Sequence, residues 1–298
     1  MGRLALIVNP LASGVDDARI EAVERTLRPY AGVATYRTSA RGDAVNIARE
    51  VSREVDAVVV LSGDGGFNEA LNGIARDIPI GFVPGGRSNV LPRALGLPRN
   101  AVAAAEVVGR AFAARRARRI SLGRANGRRF GFSAGVGLDA ELVRRVEARG
   151  GTSEGARADD LAFAAVAARL VTERRGRFPP RLEIEGRGRA AFALVANCDP
   201  YTYFRRVPLH VAPRARFELG VDLVAPVCAG PRALPRFLAY ALLGRGQTRA
   251  PDVLYGHDLD RVLVHCDAPT PLQLDGEDLG DVTSAAFESE RGALAVLV

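Results

Sequence analysis

The sequence predicts an α/β N-terminal domain with a parallel sheet, followed by a mostly β C-terminal sandwich domain. Three observations carry this prediction. The chain has 298 residues, about the length at which single hydrophobic cores stop growing. Its first third alternates short apolar runs with helical patterns, as in sheets covered by helices. After about residue 118, short strands and tight-turn signals prevail.

The α/β domain is predicted from four apolar runs separated by helical patterns. The run at 57–61 (AVVVL) is apolar throughout and mostly β-branched, which is typical of a central parallel strand. Ile20, Val23 and Leu27 repeat at helical spacing. The predicted strands are 4–8, 33–37, 57–61 and 80–83, and the predicted helices are 16–30 and 44–51.

The second half begins with a hairpin signal. Asn126-Gly127 lies between apolar runs at 120–124 and 129–134 and predicts a tight antiparallel turn. Glycine, serine and charged residues at 150–158 predict a loop. Further strands are predicted at 181–185, 190–197, 209–212, 222–225, 261–266 and 271–274, and helices at 159–173 and 231–242.

These elements divide the chain into three parts. Residues 1–118 form the predicted α/β domain, and residues 119–285 form the predicted mostly β domain. The apolar end of the chain, within 286–298, is expected to be a strand that pairs elsewhere, with the first domain as one option. We expect the ligand site in a cleft between the two domains.

The composition excludes several classes of chemistry. The 41 basic residues outnumber 34 acidic ones, and because there is no lysine, every basic residue is arginine. This excludes Schiff-base catalysis by lysine, a Walker phosphate-binding loop and a protein-kinase active site, because each needs a lysine. The three cysteines and the three histidines are not spaced as metal ligands. The few, widely separated cysteines fit a reducing compartment. No apolar run is long enough to span a bilayer. We therefore expect a cytoplasmic protein, with peripheral membrane association as an option.

The sharpest local signal is the segment SGDGGFNEALNG at 62–73, where a buried strand ends and a helix begins. In parallel sheets, ligands bind at this carboxyl end. Gly63, Gly65 and Gly66 let backbone N–H groups approach phosphate oxygens, and the helix N-terminus adds positive partial charge. The plainer interpretation is a tight turn in which Asp64 caps the helix.

Two more glycine loops strengthen the phosphate-binding interpretation. The segment NPLASG at 9–14 follows the first predicted strand, and PGGRSN at 84–89 follows the fourth. Loops that follow parallel strands emerge at the same edge of the sheet. Three such loops together predict a site for a polyphosphate.

These motifs, in this order, resemble the diacylglycerol kinase catalytic-domain family, which includes bacterial lipid kinases and sphingosine kinases. The resemblance extends over nearly the whole chain. It adds SAGVGLD at 133–139, VAPRA at 211–215 and LDGE at 274–277. The resemblance implies a nucleotide domain related to NAD kinases and phosphofructokinases, a lipid-binding β-sandwich, ATP as the donor and Mg²⁺ as the cofactor.

The resemblance also implies roles for individual residues. Asp64 and Glu277 become the catalytic carboxylates and the candidate ligands of the catalytic Mg²⁺, with Asp64 favoured as the base and Glu277 as the alternative. Asp139 becomes the candidate anchor of the acceptor's polar head, and its plainer interpretation is a helix cap. The implied nucleotide-binding residues are Asn9, Ser13, Gly14, Gly63, Gly65, Gly66, Glu69, Gly86, Arg87, Ser88 and Asn89.

Several of these residues also have structural interpretations, and the sequence departs from the family pattern at others. Arg87 has the alternative of an exposed loop arginine, and Glu69 that of a first-turn helix stabiliser. Gly66 and Arg87 stand where the family usually has threonine. Glu218 stands alone where paired acids are common, and it is therefore the remaining candidate ligand of a structural Mg²⁺.

The function expected from these motifs is an ATP-dependent lipid kinase. NAD kinase is the alternative enzyme, because it shares the glycine loop, and a catalytically inactive nucleotide- or lipid-binding relative is the third option. Paired and clustered arginines predict attraction to anionic bilayers, where the lipid substrate would be met. No nucleic-acid recognition motif is present. The choice of lipid and the oligomeric state stay open, and a homodimer is one option.

Overall fold

The computed structural model describes residues 2–149 and 160–298, which form two compact units. Unit 1 comprises Met1–Ile120 and Gly292–Val298, and unit 2 comprises Ser121–Arg291. The boundaries drawn from the sequence are 118 and 285. The loop predicted over 150–158 lies outside the described residues.

Unit 1 contains a parallel sheet flanked by helices, as predicted. Its strands are β1 (Arg3–Val8), β2 (Gly32–Arg37), β3 (Ala57–Ser62) and β4 (Ile80–Pro84). Its helices are α1 (Asp17–Leu27), α2 (Asp43–Val51), α3 (Asp64–Gly73), α4 (Val90–Ala94) and α5 (Ala101–Ala113). The strands pair in the order β2-β1-β3-β4. Helices α4 and α5 are not among the predicted elements.

The core of unit 1 is built on β3, which is buried at all six positions, as its apolar sequence predicts. Helix α1 buries Ile20, Val23 and Leu27, which confirms the face read from their spacing. Helices α2 and α3 pack closely at Gly73, because a Cβ there would lie 2.3 Å from the Val45 carbonyl oxygen. This packing fixes the direction in which α3 leaves the end of β3.

Unit 2 is mostly antiparallel β structure, which confirms the predicted class. Its strands are β5 (Arg118–Ala125), β6 (Arg128–Phe130), β7 (Ser133–Val136), β8 (Leu182–Ile184), β9 (Gly188–Ala190), β10 (Ala193–Ala196), β11 (Thr202–Phe204), β12 (Val207–Leu209), β13 (Val221–Pro226), β14 (Val253–Leu259), β15 (Arg261–Leu274) and β16 (Glu277–Val296). Its helices are α6 (Leu138–Arg149), α7 (Asp160–Glu173) and α8 (Ala233–Leu243).

The central strands of unit 2 pair in the order β14-β13-β10-β7-β15-β16. They enclose a core in which the rings of Phe130 and Phe287 meet edge to face at 6.5 Å. The predicted turn at Asn126-Gly127 joins antiparallel β5 and β6, and both residues have positive φ. Strand β16 leaves unit 2 at Arg291, and its end pairs with β4 inside unit 1.

Five strand predictions are wrong in detail. The strand predicted at 190–197 is divided into β9 and β10. The strand predicted at 209–212 ends at Leu209, because the chain enters a turn there. The two strands predicted at 261–266 and 271–274 are one strand, β15, whose pairing with β16 shifts register between His265 and Thr270. The predicted strand at 129–134 is divided into β6 and β7. Strand β14 was not predicted, because glycine and charged residues interrupt its apolar pattern.

Candidate functional site

The three glycine loops of unit 1 meet at the carboxyl ends of β1, β3 and β4. The Gly14 N–H donates to the Gly85 carbonyl over 2.9 Å, which joins the first loop to the loop after β4. Gly63 and Gly86 approach even more closely, because a Cβ on Gly86 would lie 2.7 Å from the Gly63 Cα. Glycine at residue 86 is therefore a steric requirement of the meeting point, and a side chain at residue 63 would be tight.

Asp64 is the first residue of α3, and it is buried among these loops with 8 % of its surface exposed. Its Oδ1 accepts a hydrogen bond from the Leu91 N–H at 3.3 Å, in the first turn of α4. Gly65 is buried beside it, and Gly66 is half-buried. The carboxylate is thus held between the turn after β3 and the loop after β4.

The loop after β4 is shaped by Asn89. This residue has a φ of 48°, its Oδ1 accepts from the Gly86 N–H at 2.9 Å, and its Nδ2 donates to the Gly86 carbonyl at 2.6 Å. Arg87 and Ser88 are exposed between these anchors. Asn89 therefore sets the loop conformation, and the residues between its contacts face solvent.

The loop after β1 is shaped in a similar way by Asn9. Its Oδ1 accepts from the Leu11 N–H at 3.0 Å, and its own N–H donates to the Leu61 carbonyl at 3.0 Å. Ser13 is exposed and Gly14 is half-buried beside the loop after β4. The Gly14 carbonyl accepts from the Arg19 guanidinium.

Glu69 does not belong with these loops. Its Oε1 accepts from the Gly42 N–H at 2.9 Å, and its Oε2 accepts from the Ala44 N–H at 3.3 Å. Both oxygens therefore cap the N-terminus of α2, where a negative charge is stabilised by the helix dipole. These contacts favour a structural role between α3 and α2, and nucleotide binding by Glu69 stays a prediction.

A pocket of about 170 Å³ adjoins the loop after β4. Two of the residues that line it are arginines that the sequence analysis did not select, Arg19 and Arg99. The N-terminus of α5 also lines it, capped by Asn100, whose Oδ1 accepts from the Ala103 N–H at 3.0 Å. Guanidinium groups and helix N-terminal N–H groups both bind phosphate, so the pocket suits an anion.

In unit 2, the Asp275-Gly276 turn joins β15 to β16, and both residues have positive φ. The buried Asp275 carboxylate accepts from three consecutive backbone N–H groups at 2.6 to 3.1 Å, those of Gly131, Phe132 and Ser133. This contact explains the break between β6 and β7, because these N–H groups face a side chain instead of a strand.

Glu277 follows this turn and is 3 % exposed. Its Oε2 accepts from the Arg128 guanidinium at 2.7 Å, and Arg128 is itself about one-third exposed. This burial excludes a solvated side chain at the surface of the turn. The carboxylate is instead held as the anion of a partly buried ion pair.

Asp139 lies in the first turn of α6, and its Oδ2 accepts from the Tyr201 hydroxyl at 2.7 Å and from the Gln273 Nε2 at 2.6 Å. Burial raises the pKa of Asp139, although these two hydrogen bonds oppose the shift. Burial also raises the pKa of the Tyr201 phenol well above its usual value. One oxygen of Asp139 is thus committed to the interior of unit 2. Its role as an anchor for the acceptor stays a prediction.

The acidic segment is divided between an exposed and a buried residue. Glu218 is exposed, whereas Asp222 is fully buried and accepts from the Tyr255 hydroxyl, the His257 ring and the Asp258 N–H. Within residues 2–149 and 160–298, no group of three His, Cys, Asp or Glu side chains is arranged to hold a metal ion. The expectation that Glu218 helps to form a structural Mg²⁺ site is therefore not supported.

Known proteins resemble this chain in sequence and in fold. A profile of the diacylglycerol kinase catalytic domain matches residues 3–125. The diacylglycerol kinase of Bacillus subtilis (strain 168) is 36 % identical over 121 residues, and the match covers 39 % of this chain and 39 % of that protein. The chain therefore spans less than half of the length of this relative.

Two crystal structures share the fold at low sequence identity. A diacylglycerol kinase from Bacillus anthracis str. Sterne is 19 % identical with a TM-score of 0.73, over 99 % of this chain and 96 % of that chain. An NAD kinase from Archaeoglobus fulgidus in complex with ATP is 12 % identical with a TM-score of 0.52, over 99 % and 93 %. These likenesses show the fold alone.

No helix in the described part of the chain is both long and apolar enough to cross a membrane. The profile match includes all three glycine loops, Asp64 and the arginines of the anion pocket. Residues 3–125 of this chain therefore resemble the catalytic domain of the diacylglycerol kinases.

Proposed function

We propose that this protein is an ATP-dependent lipid kinase. It transfers the γ-phosphoryl group of ATP to a hydroxyl group of a diacylglycerol-like or sphingoid-like lipid. One observation carries the proposal: a buried carboxylate, Asp64, lies where three glycine loops of a diacylglycerol kinase catalytic domain meet. Phosphoryl transfer needs this combination, because it depends on positioning phosphates and neutralising their charge beside a proton acceptor.

The phosphates would be bound mainly by backbone N–H groups and arginines. Gly63 and Gly86 are in contact, so a phosphate chain can approach both loops without meeting a side chain. The pocket beside the loop after β4 adds the guanidinium of Arg99 and the N-terminus of α5. This donor set replaces the lysine that other phosphate loops use and that this chain lacks.

The residues present could hold Mg²⁺ only together with phosphate oxygens of a bound nucleotide. Mg²⁺ is bound in kinases by one or two carboxylates together with water and phosphate oxygens. Because the described residues form no three-ligand cluster, a site closed by protein groups alone is not supported there. The candidate carboxylates are Asp64 and Glu277, and the bound ion would supply neutralisation of phosphate charge.

We assign the base to Asp64 and the metal ligand to Glu277. The Oε2 of Glu277 accepts from the Arg128 guanidinium at 2.7 Å, so a cationic side chain already orients this carboxylate. A carboxylate fixed in this way suits a metal ligand, which needs a defined position. Asp64 lies where the three glycine loops meet, so a nucleotide bound there would place its γ-phosphate close to this carboxylate. Asp64 is therefore the better placed acceptor for the proton of a lipid hydroxyl.

Phosphate transfer from labelled ATP tests the proposal directly. The purified chain is incubated with [γ-³²P]ATP and Mg²⁺ in micelles that contain diacylglycerol, sphingosine or neither, and separately with NAD. We expect label in a lipid product whose mass identifies the acceptor. Formation of NADP without a labelled lipid would favour NAD kinase. Absence of transfer to any acceptor, with ATP still bound, would favour a non-catalytic relative.

A further inference from the structure

Helix α8 exposes an unusual amount of apolar surface. Its sequence is ALPRFLAYALL, yet none of its eleven residues is buried. Leu238, Leu242 and Leu243 are 57 %, 45 % and 61 % exposed. Large leucines at this exposure on adjacent turns are a patch rather than scattered surface residues, and such patches mark interaction sites.

The leucines face away from unit 2 because the other side of α8 is already packed. Phe237 lies against the cluster that contains Ala212 and Val253. The Ala241 carbonyl accepts from the His210 N–H at 2.6 Å, so the helix is fastened along that side. Leu238 and Leu242 are four residues apart and share the opposite face.

The β11–β12 hairpin extends the same surface. His210, which contacts α8, directly follows β12, and Val207 in that strand is 46 % exposed. Arg205 and Arg206 form the hairpin turn. We call the exposed group the α8 surface, and it consists of Val207, Leu238, Leu242 and Leu243 with Arg206, Arg232, Arg245 and Arg249.

The charge of this region is one-sided. Residues 200–217 and 223–251 contain eight arginines and no aspartate or glutamate. Arg236 pairs with Asp252, which lies just beyond the second segment, and stacks on the rings of Phe237 and Tyr240. Within the described residues, the guanidinium groups of Arg206, Arg232, Arg245 and Arg249 form no ion pair.

We propose that the α8 surface docks on an anionic lipid bilayer, with its leucines in the interfacial region and its arginines on the head groups. Amphipathic helices with basic flanks bind membranes in this manner. The proposed function supplies only the reason for docking, which is access to a lipid substrate. The surface itself is inferred from its exposed leucines and its charge. A second copy of this chain is a poorer occupant, because a twofold contact through this surface would face arginines with arginines.

Vesicle binding by the full chain tests this proposal. The partition coefficient is measured on phosphatidylcholine vesicles with and without phosphatidylglycerol, for the wild type, Leu238→Glu/Leu242→Glu and Arg245→Glu/Arg249→Glu. We expect stronger binding to the anionic vesicles. The arginine pair should lower it by about 25-fold, since each arginine contributes about fivefold, or about 1 kcal/mol. The leucine pair should lower it by about tenfold or more, because apolar burial is lost.

Matched controls separate this surface from general charge and apolarity. Arg25→Glu/Arg53→Glu makes the same change in net charge on unit 1, and Tyr36→Glu alters another exposed apolar side chain there. Both controls should bind within about twofold of the wild type. Thermal unfolding of every variant checks that the exposed substitutions leave the fold intact. Equal losses of vesicle binding in the control variants and in the α8-surface variants would overturn the proposal.

Two further outcomes also decide the matter. If the leucine pair converts a dimer to a monomer in sedimentation velocity while vesicle binding is unchanged, the surface joins copies of this chain and the proposal is wrong. Kinase activity is measured separately on a dispersed short-chain diacylglycerol. Vesicle binding that depends on the surface, in a protein without lipid kinase activity, would overturn the proposed function and leave the docking surface standing.

Discussion

The Ser62 side chain occupies the space that any side chain at residue 66 would need. A Cβ added to Gly66 would lie 2.2 Å from the Ser62 Oγ and 2.8 Å from its Cβ. Ser62 is 1 % exposed, and its hydroxyl has no hydrogen-bond partner among the described residues. The two positions are therefore sterically coupled, so a side chain at residue 66 requires a smaller residue at 62.

We expect Gly66→Ala to lower the free energy of unfolding by about 1–3 kcal/mol, because it overpacks a buried turn. Ser62→Gly/Gly66→Ala should recover most of this loss, since the clashing atoms are gone. Urea unfolding measures both, with Gly230→Ala as the control at a glycine that has no atom within 4 Å of its Cβ position. A Gly66→Ala variant as stable as the wild type would show that the helix shifts freely.

Neutralising either proposed catalytic carboxylate should lower turnover. Asp64→Asn and Glu277→Gln are each expected to lower kcat by about 10²–10⁴-fold, and the double variant by less than the product. Glu277→Gln should weaken Mg²⁺-ATP binding more than Asp64→Asn, because we assign the metal to Glu277. Steady-state kinetics and nucleotide titration measure these effects, with the exposed Asp17→Asn as control. The reverse order of nucleotide affinities would exchange the two roles.

Removing the Arg99 charge should weaken nucleotide binding. Arg99 lines the anion pocket beside the loop after β4, and its loss removes a charge-assisted contact to phosphate. We expect Arg99→Gln to raise the KM for ATP by about five- to tenfold with little change in kcat, since this contact is the same before and during transfer. Arg53→Gln, on the same unit, is the control. An unchanged KM would place the phosphates away from this pocket.

The raised pKa of Asp139 predicts a pH-dependent stability. The Asp139 carboxyl binds its proton more tightly in the folded than in the unfolded state. At a pH between its two pKa values, its contribution to the free energy of unfolding therefore falls as pH rises. Asp139→Asn removes this titration and keeps an oxygen for Tyr201 and Gln273. The stability difference, variant minus wild type, should therefore rise with pH from about pH 4 upward, by at most about 1.4 kcal/mol per unit. Parallel pH profiles would contradict the buried, proton-binding carboxylate.

The local motifs of unit 1 could be read from the sequence because their requirements are local. A strand of β-branched residues followed by glycines and a helix start determines where a turn lies and which way its N–H groups face. Asn126-Gly127 predicted its turn for the same reason. The contacts of Gly14 with Gly85 and of Gly63 with Gly86 follow once parallel pairing is known.

The remaining features depend on which side chains meet across the fold. Glu69 has a sequence position suited to the turn, but its carboxylate reaches the N-terminus of α2 because α2 and α3 pack together. Asp275 binds N–H groups more than 140 positions earlier in the chain, which no local pattern reveals. Arg99 becomes part of a pocket only because α5 begins beside the loop after β4.

Strand β16 gives this protein a particular order of assembly during synthesis. Val296 pairs with Ile80, and the Leu297 N–H donates to the Ile80 carbonyl at 2.9 Å, so the last strand of unit 1 is made after all of unit 2. A nascent chain that ends before residue 292 leaves Ile80 at the edge of β4 without this pairing, and unpaired strand edges can recruit other strands. Unit 1 therefore lacks its last strand until unit 2 has been translated. In sequence, unit 2 is an insertion into unit 1.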